Sequence, residues 1–135
     1  MAGPKTRIVW IDDDPELLRL GHIVLTHKGY QVITVSDSRQ GFDVIRREKP
    51  DLVLLDLIMP DVDGWAIYNQ IKGEPELQGT RVIVVTAKAQ SADKALALLL
   101  AKVDGYLIKP YDQNQLFDML NQVIRRKKPA TDEPA

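Results

Sequence analysis

Three carboxylates, a hydroxyl and an ammonium stand where short apolar runs of this chain end: Asp12 and Asp13 after RIVWI, Asp56 after DLVLL, Thr86 after RVIVV, and Lys109 after GYLI. These residue types can bind a divalent cation and handle phosphate. Neighbouring carboxylates such as Asp12 and Asp13 repel unless a cation shares them. Magnesium suits that position, because it prefers oxygen ligands and keeps several of its waters. A carboxylate at Asp56 can attack phosphorus and give an acyl phosphate, provided metal and ammonium neutralise the incoming charge. Thr86 could donate to a phosphoryl oxygen while the small Ala87 leaves room, and Lys109 supplies a point charge. Pro110 permits a cis bond that redirects the chain there. Each residue also has a plainer reading: Asp14 of the DDD run as a helix cap beside solvated neighbours, Asp56 as a turn residue, Thr86 as an ordinary strand threonine, Lys109 as a solvated lysine.

The elements that carry these residues are legible in the apolar pattern. Five runs rich in Val and Ile, at Arg7–Ile11, Gln31–Val35, Leu52–Leu55, Arg81–Val85 and Tyr106–Ile108, alternate with segments of helical period. That order predicts βαβ units: an α/β fold with a single five-stranded parallel sheet, doubly wound, with helices on both faces. The central runs lack alternation, as strands covered on both sides should. The carboxyl ends of parallel strands share one edge, which is where open α/β sheets bind ligands. The predicted helices are Pro15 to about Lys28, capped by Asp14 and stopping at Gly29, then Ser38–Glu48, Gly64–Lys72, Ser91–Lys102 and Gln113–Lys127. In the loop LIMPDVDG, Pro60 stiffens the chain, Asp61 to Gly64 is turn chemistry, and Gly64 can take the positive φ that other residues resist.

Composition narrows the function classes. At 135 residues the chain has room for one domain with a proper core. The 18 basic and 19 acidic residues leave a formal charge of −1, so no global field draws nucleic acid or acidic lipid, and no direct nucleic-acid binding is expected. Absence of cysteine removes disulfides, zinc thiolates and thiol chemistry from this chain. His22 and His27 are too few for a metal cluster and read as surface residues of the first helix. The longest wholly apolar stretch, Ala95 to Ala101, is far below the roughly 20 residues of a membrane helix. The expectation is a soluble cytoplasmic protein: residues 1–6 an N-terminal extension, 7–128 one domain, and 129–135 a disordered tail or linker stub.

With the motifs assembled, the chain resembles the receiver domain of two-component response regulators, from about Arg7 to Arg126. The resemblance rests on IDDDPELL with Asp12 and Asp13, DLVLLDLIMPDVDG with Asp56, VIVVTAKA with Thr86, and GYLIKPY with Lys109 before Pro110, spaced 44, 30 and 23 residues apart. It implies a flavodoxin-like sheet in the order 2-1-3-4-5. It also implies magnesium held by Asp13, Asp56 and the carbonyl of Ile58, with Asp12 helping directly or through water. Asp56 would be the phosphoacceptor and Pro110 cis. The phosphodonor would be a sensor histidine kinase, a histidine phosphotransfer protein or acetyl phosphate, and the domain would later hydrolyse the bond itself. Such a protein is a signalling switch, not a turnover enzyme: Thr86 is drawn to the phosphoryl group, Tyr106 turns inward, and the surface of the fourth helix, fifth strand and fifth helix is repacked for dimerisation or effector docking. Ile58 and Lys88 flank the path of attacking water, and an apolar Ile58 predicts slow loss of the phosphoryl group.

Two rivals are weighed against this. A haloacid-dehalogenase-like phosphatase would use Asp12 and Asp14 as a DxD pair, but Glu16 stands where threonine or valine is expected. A receiver-like interaction module that is never phosphorylated would leave the filled acceptor, metal and lysine positions without a purpose. In the predicted fourth helix, ALALLLA carries leucines on more than one face, which reads either as an apolar surface suited to a protein contact or as a helix wedged tightly among its neighbours.

Overall fold

In the computed structural model of the chain, the described residues are 5–87 and 100–125. Five strands form one parallel sheet: β1 (Arg7–Ile11), β2 (Gln31–Val35), β3 (Leu52–Asp56), β4 (Arg81–Ala87) and β5 (Gly105–Lys109), in the order β2-β1-β3-β4-β5. The expected order is therefore observed, and β3, β4 and β5 run further than the apolar runs predicted. The extensions take in the candidate site residues: Asp56, Thr86 and Lys109 lie at or next to the carboxyl ends of their strands. Register places Asp56 opposite Val85, Thr86 opposite Ile108 and Ala87 opposite Lys109.

Helix α1 (Pro15–His27) begins as its sequence requires. The Asp14 carboxylate accepts the free amides of Glu16 and Leu17, and proline occupies the first turn. Gly29, at φ 103°, turns the chain back toward β2. The segment predicted as one helix from Ser38 divides into a 3-10 turn, Ser38–Gln40, and α2 (Gly41–Glu48). Asp37 accepts the Arg39 amide and holds the first turn tight. Lys49 closes α2 in the left-handed region at φ 46°, since the following Pro50 disfavours a further helical residue. Helix α3 (Gly64–Lys72) has the predicted limits. Residues 91–99 of the predicted fourth helix, with its ALALLLA leucines up to Leu99, lie outside the described residues; Leu100–Lys102 are helical. The C-terminal helix spans Gln113–Arg125, and the predicted tail also lies outside the described residues.

Both faces of the sheet are covered. Val9, Ile11, Val53, Leu55 and Val84 meet Val44 and Ile45 of α2 and Ile67 and Ile71 of α3. On the other face Ile8, Trp10, Leu54, Ile83 and Val85 meet Leu18 and Leu25 of α1 and Leu116, Leu120 and Val123 of the C-terminal helix. All five residues of β3 are buried, so Asp56 leaves the core only at its mouth. A fully buried leucine-sized side chain contributes about 1.5–3 kcal/mol, and two such layers hold the sheet edge that carries the polar groups. Lys28 lies over the Phe117 ring at 4.5 Å and links α1 to the C-terminal helix.

Candidate functional site

The carboxyl ends of β1, β3 and β5 bring the polar residues together. Oxygens of Asp12, Asp13 and Asp56 all lie within 4.8 Å of one another, with Asp12 and Asp56 buried and Asp13 exposed. Lys109 Nζ lies 3.0 Å from Asp12 Oδ2 and 3.3 Å from Asp56 Oδ2. Asp12 Oδ1 accepts the Asp14 amide at 3.0 Å, which fixes its carboxylate in the β1–α1 turn. Asp56 Oδ1 accepts the Ile58 amide at 3.2 Å, so the loop after β3 folds back over its own acceptor strand.

The electrostatics favour an added cation. Three carboxylates against one ammonium leave a net formal charge of −2. Burial, and then the charge of Asp12, push the Asp56 carboxyl above the usual carboxylate range, against the opposing pull of Lys109 and the Ile58 amide. Burial disfavours the charged form of Lys109, but Asp12 and Asp56 outweigh it and raise its pKa. The donor set is all oxygen and the uncompensated charge is that of a divalent metal ion, so these residues fit magnesium.

Other predicted residues fall into place around this cluster. Thr86 is buried near the end of β4, its hydroxyl donating, among the described residues, to the adjacent Ala87 carbonyl at 3.3 Å, while Ala87 itself is exposed. The Lys109–Pro110 bond is cis. Ile58 is 66% exposed at the mouth of the site. Tyr106 is 44% exposed and lies on β5 with Ile108, which is also exposed. Lys88 lies outside the described residues. His22 and His27 are exposed on α1.

One reading is corrected and one rival is set aside. Gly64 does not take a positive φ; in its loop that conformation belongs to Asp61, at φ 69°. Glycine is required at 64 for a different reason: a Cβ there would lie 2.4 Å from the Asp56 carbonyl oxygen and 2.7 Å from Leu57 Cα, both backbone atoms. The DxD reading also fails, because the Asp14 carboxylate caps α1 and Lys109 pairs with Asp12 and Asp56.

Some residues at the site carried no signal in the sequence reading. Ser38 reaches the β3–α3 loop, its hydroxyl donating to the Pro60 carbonyl at 2.6 Å and accepting the Val62 amide at 3.1 Å. Tyr111, half-buried beyond the cis bond, has its hydroxyl pKa pushed up to about 12 by burial, partly countered by Lys109. On α1, Leu20 and Ile23 are 60% and 61% exposed, one helical turn apart.

The family model for the response regulator receiver domain matches residues 8–121. The chain is 37% identical over 134 residues to transcriptional regulatory protein GlrR of Escherichia coli, covering 98% of this chain and 29% of that protein. It is 33% identical over 122 residues to response regulator ArlR of Staphylococcus aureus, covering 90% of this chain and 54% of that one. It thus spans between about a third and a half of these relatives. Among solved structures, the signal receiver domain of a putative Luxo repressor protein from Vibrio parahaemolyticus is 26% identical with a TM-score of 0.79, covering 98% of this chain and 100% of that one. The BeF3-activated N-terminal receiver domain of RstA from Klebsiella pneumoniae is 28% identical with a TM-score of 0.76, covering 89% and 99%. The fold, the acidic cluster and its lysine, and these matches along nearly the whole chain make one family assignment: the chain belongs to the receiver domains of two-component response regulators, which are signalling switches rather than turnover enzymes.

Proposed function

We propose that Asp56 is the phosphoacceptor of this receiver and that Asp12, Asp13 and Asp56, with the Ile58 carbonyl, hold magnesium. The observation that carries this reading is the convergence of three carboxylates, two of them paired with Lys109, with a formal charge of −2 left over. When bound, magnesium supplies positive charge to the phosphoryl oxygens and lowers the repulsion between them and the carboxylates. The chain's own residues supply the rest. An oxygen of Asp56 attacks phosphorus, the bond from phosphorus to a phosphohistidine nitrogen or to an acetate oxygen breaks, and the electron pair leaves with that group. Lys109, already between Asp12 and Asp56, faces the charge that develops on the transferred group. Thr86, whose hydroxyl among the described residues meets only the Ala87 carbonyl, would turn to donate to a phosphoryl oxygen. Its movement opens space beside the exposed Tyr106, whose inward turn would repack the surface of β5 and its flanking helices, the surface proposed for a homodimer or an effector. Hydrolysis of the acyl phosphate returns the switch to rest, slowly, because Ile58 offers no group to orient water.

A protein phosphodonor, a sensor histidine kinase or a histidine phosphotransfer protein, must bring phosphorus to Asp56 and therefore touches the rim of this site. A cavity of about 660 Å³ that reaches Lys109 is lined by Leu17, Leu20, Val24, Tyr111 and Leu116, with Leu20 exposed on α1. That patch suits the protein donor. The domain is assigned to residues 7–128 and the cytoplasm is its proposed compartment; among the described residues no helix is long and apolar enough to cross a membrane.

Incubation with magnesium and acetyl phosphate, followed by intact-mass measurement, tests the reading. One added phosphoryl group is expected, absent in Asp56→Asn and in chelator. An adduct that persists in Asp56→Asn would move the acceptor elsewhere; no adduct on the folded wild-type protein would make this an unphosphorylated interaction module.

A further inference from the structure

The loop between β3 and α3 carries the Ile58 carbonyl, and its two ends are fixed by backbone bonds: the Leu57 amide donates to the Val85 carbonyl and the Gly64 amide to the Leu57 carbonyl, each at 3.0 Å. Its middle has no strand or helix to satisfy it. There the chain passes through Pro60 and through Asp61 in the left-handed region. The partner for this stretch comes from another element. Ser38, 5% exposed at the start of the 3-10 turn after β2, donates its hydroxyl proton to the Pro60 carbonyl and accepts the Val62 amide proton. One hydroxyl thus serves a carbonyl and an amide two residues apart, on both sides of the strained Asp61. The neighbouring Arg39 pairs with Asp37 at 3.1 Å and reaches toward Asp61 at 4.0 Å, which places the same turn against the same loop a second time.

We infer that Ser38 is a positioning residue of the metal and phosphoryl site. It holds the 57–63 loop at the distance at which the Ile58 amide meets Asp56 and the Ile58 carbonyl stays available to a cation. This rests on the reading that the acidic cluster holds magnesium. Ser38 touches neither metal nor phosphorus; it acts through the loop. A group of this kind fixes a ligand's orientation, and its loss typically weakens metal binding about 10–100-fold. Alanine at 38 would leave the Pro60 carbonyl and the Val62 amide without the hydroxyl that joins them. Threonine would keep it.

The test measures Mg2+ affinity by calorimetry and amide exchange across 57–64 in chelator, for the wild type, Ser38→Ala, Ser38→Thr and Thr80→Ala. Thr80 is a control of equal kind: its buried hydroxyl donates to the Pro50 carbonyl at 3.3 Å, at the opposite end of the sheet. Ser38→Ala is expected to lose about tenfold in Mg2+ affinity and to exchange faster across 57–64 in the metal-free state, with Ser38→Thr recovering both and Thr80→Ala changing neither. Unchanged exchange in Ser38→Ala overturns the tether. Faster exchange with unchanged Mg2+ affinity overturns the positioning role while leaving the metal site intact. Wild-type protein that binds no Mg2+ removes the metal-site reading, and the positioning role goes with it.

Discussion

Lys109 Nζ stands 3.0 Å from Asp12 Oδ2, although 97 residues of chain separate the two. The pairing exists because β1 and β5 run parallel on either side of the buried β3 and β4, so that both strands end at the same sheet edge. It leaves Lys109 shared between Asp12 and Asp56, and each carboxylate with less than a full counter-charge.

Removing the charge of Asp56 should therefore stabilise the metal-free fold. Burial and then Asp12 raise its pKa above the unfolded value. Between those two values the fold retains a proton that the unfolded chain has lost, so stability falls as pH rises through this window and the deficit is fully present above the folded value. In chelator, Asp56→Asn is expected to gain on the order of 1 kcal/mol, about 4 °C in melting temperature. The gain should shrink as pH falls into the carboxylate range. Thermal unfolding followed by circular dichroism checks it, and a variant that melts below the wild type at neutral pH would contradict the account.

Lys109→Met should have the opposite sign. It removes the ammonium that Asp12 and Asp56 share and leaves two buried carboxylates facing each other, at a cost of about 1–3 kcal/mol in the metal-free protein. Acid should relieve part of that cost, because a proton on either carboxyl replaces the missing positive charge. A denaturant series in chelator at neutral and at acidic pH measures this; equal losses at the two pH values would show that the lysine acts by packing alone.

The contrast between these residues and Ser38 shows what the sequence could disclose. Asp12, Asp13, Asp56, Thr86 and Lys109 were legible because each follows an apolar run, and a parallel sheet carries every such position to one edge. The strand order came from the family resemblance, and the paired strands bear it out. Ser38 was not legible: its bonds cross 22 and 24 residues to backbone groups, and nothing local in VSDSRQ points at Pro60 or Val62. Gly64 was marked for the wrong property, since a backbone contact with Asp56 leaves no trace in turn chemistry. Leu20 and Ile23 belong to a helix whose apolar positions outnumber what one face can bury, and only packing reveals which of them remain outside.

Tyr111 predicts an alkaline signature. Its hydroxyl pKa is pushed up to about 12, chiefly by burial. The unfolded chain loses this proton near pH 10, so from there up to the folded value the native state binds the extra proton and stability declines with rising pH. Tyr111→Phe should flatten that decline, and tyrosinate absorbance of the folded variant should lose its latest-titrating component. An unaltered alkaline melting profile in Tyr111→Phe would place the tyrosine in water.

At the end of the sheet opposite the acidic cluster, Arg81 donates to the carbonyls of Val123 and Ile124 at 3.0 and 2.9 Å. Both carbonyls belong to the final described residues of the C-terminal helix, where the guanidinium gives them a charge-assisted partner. Arg81 opens β4, the strand that carries Thr86 near its other end, so a single strand joins the proposed phosphoryl contact to the C-terminal helix. Arg81→Met keeps the aliphatic stem and removes the donors; it should cost about 1 kcal/mol and raise amide exchange over the last turn of that helix while leaving Mg2+ binding at the far edge unchanged. Exchange that rises equally along the whole helix would mean that Arg81 contributes to global stability and not to the helix end.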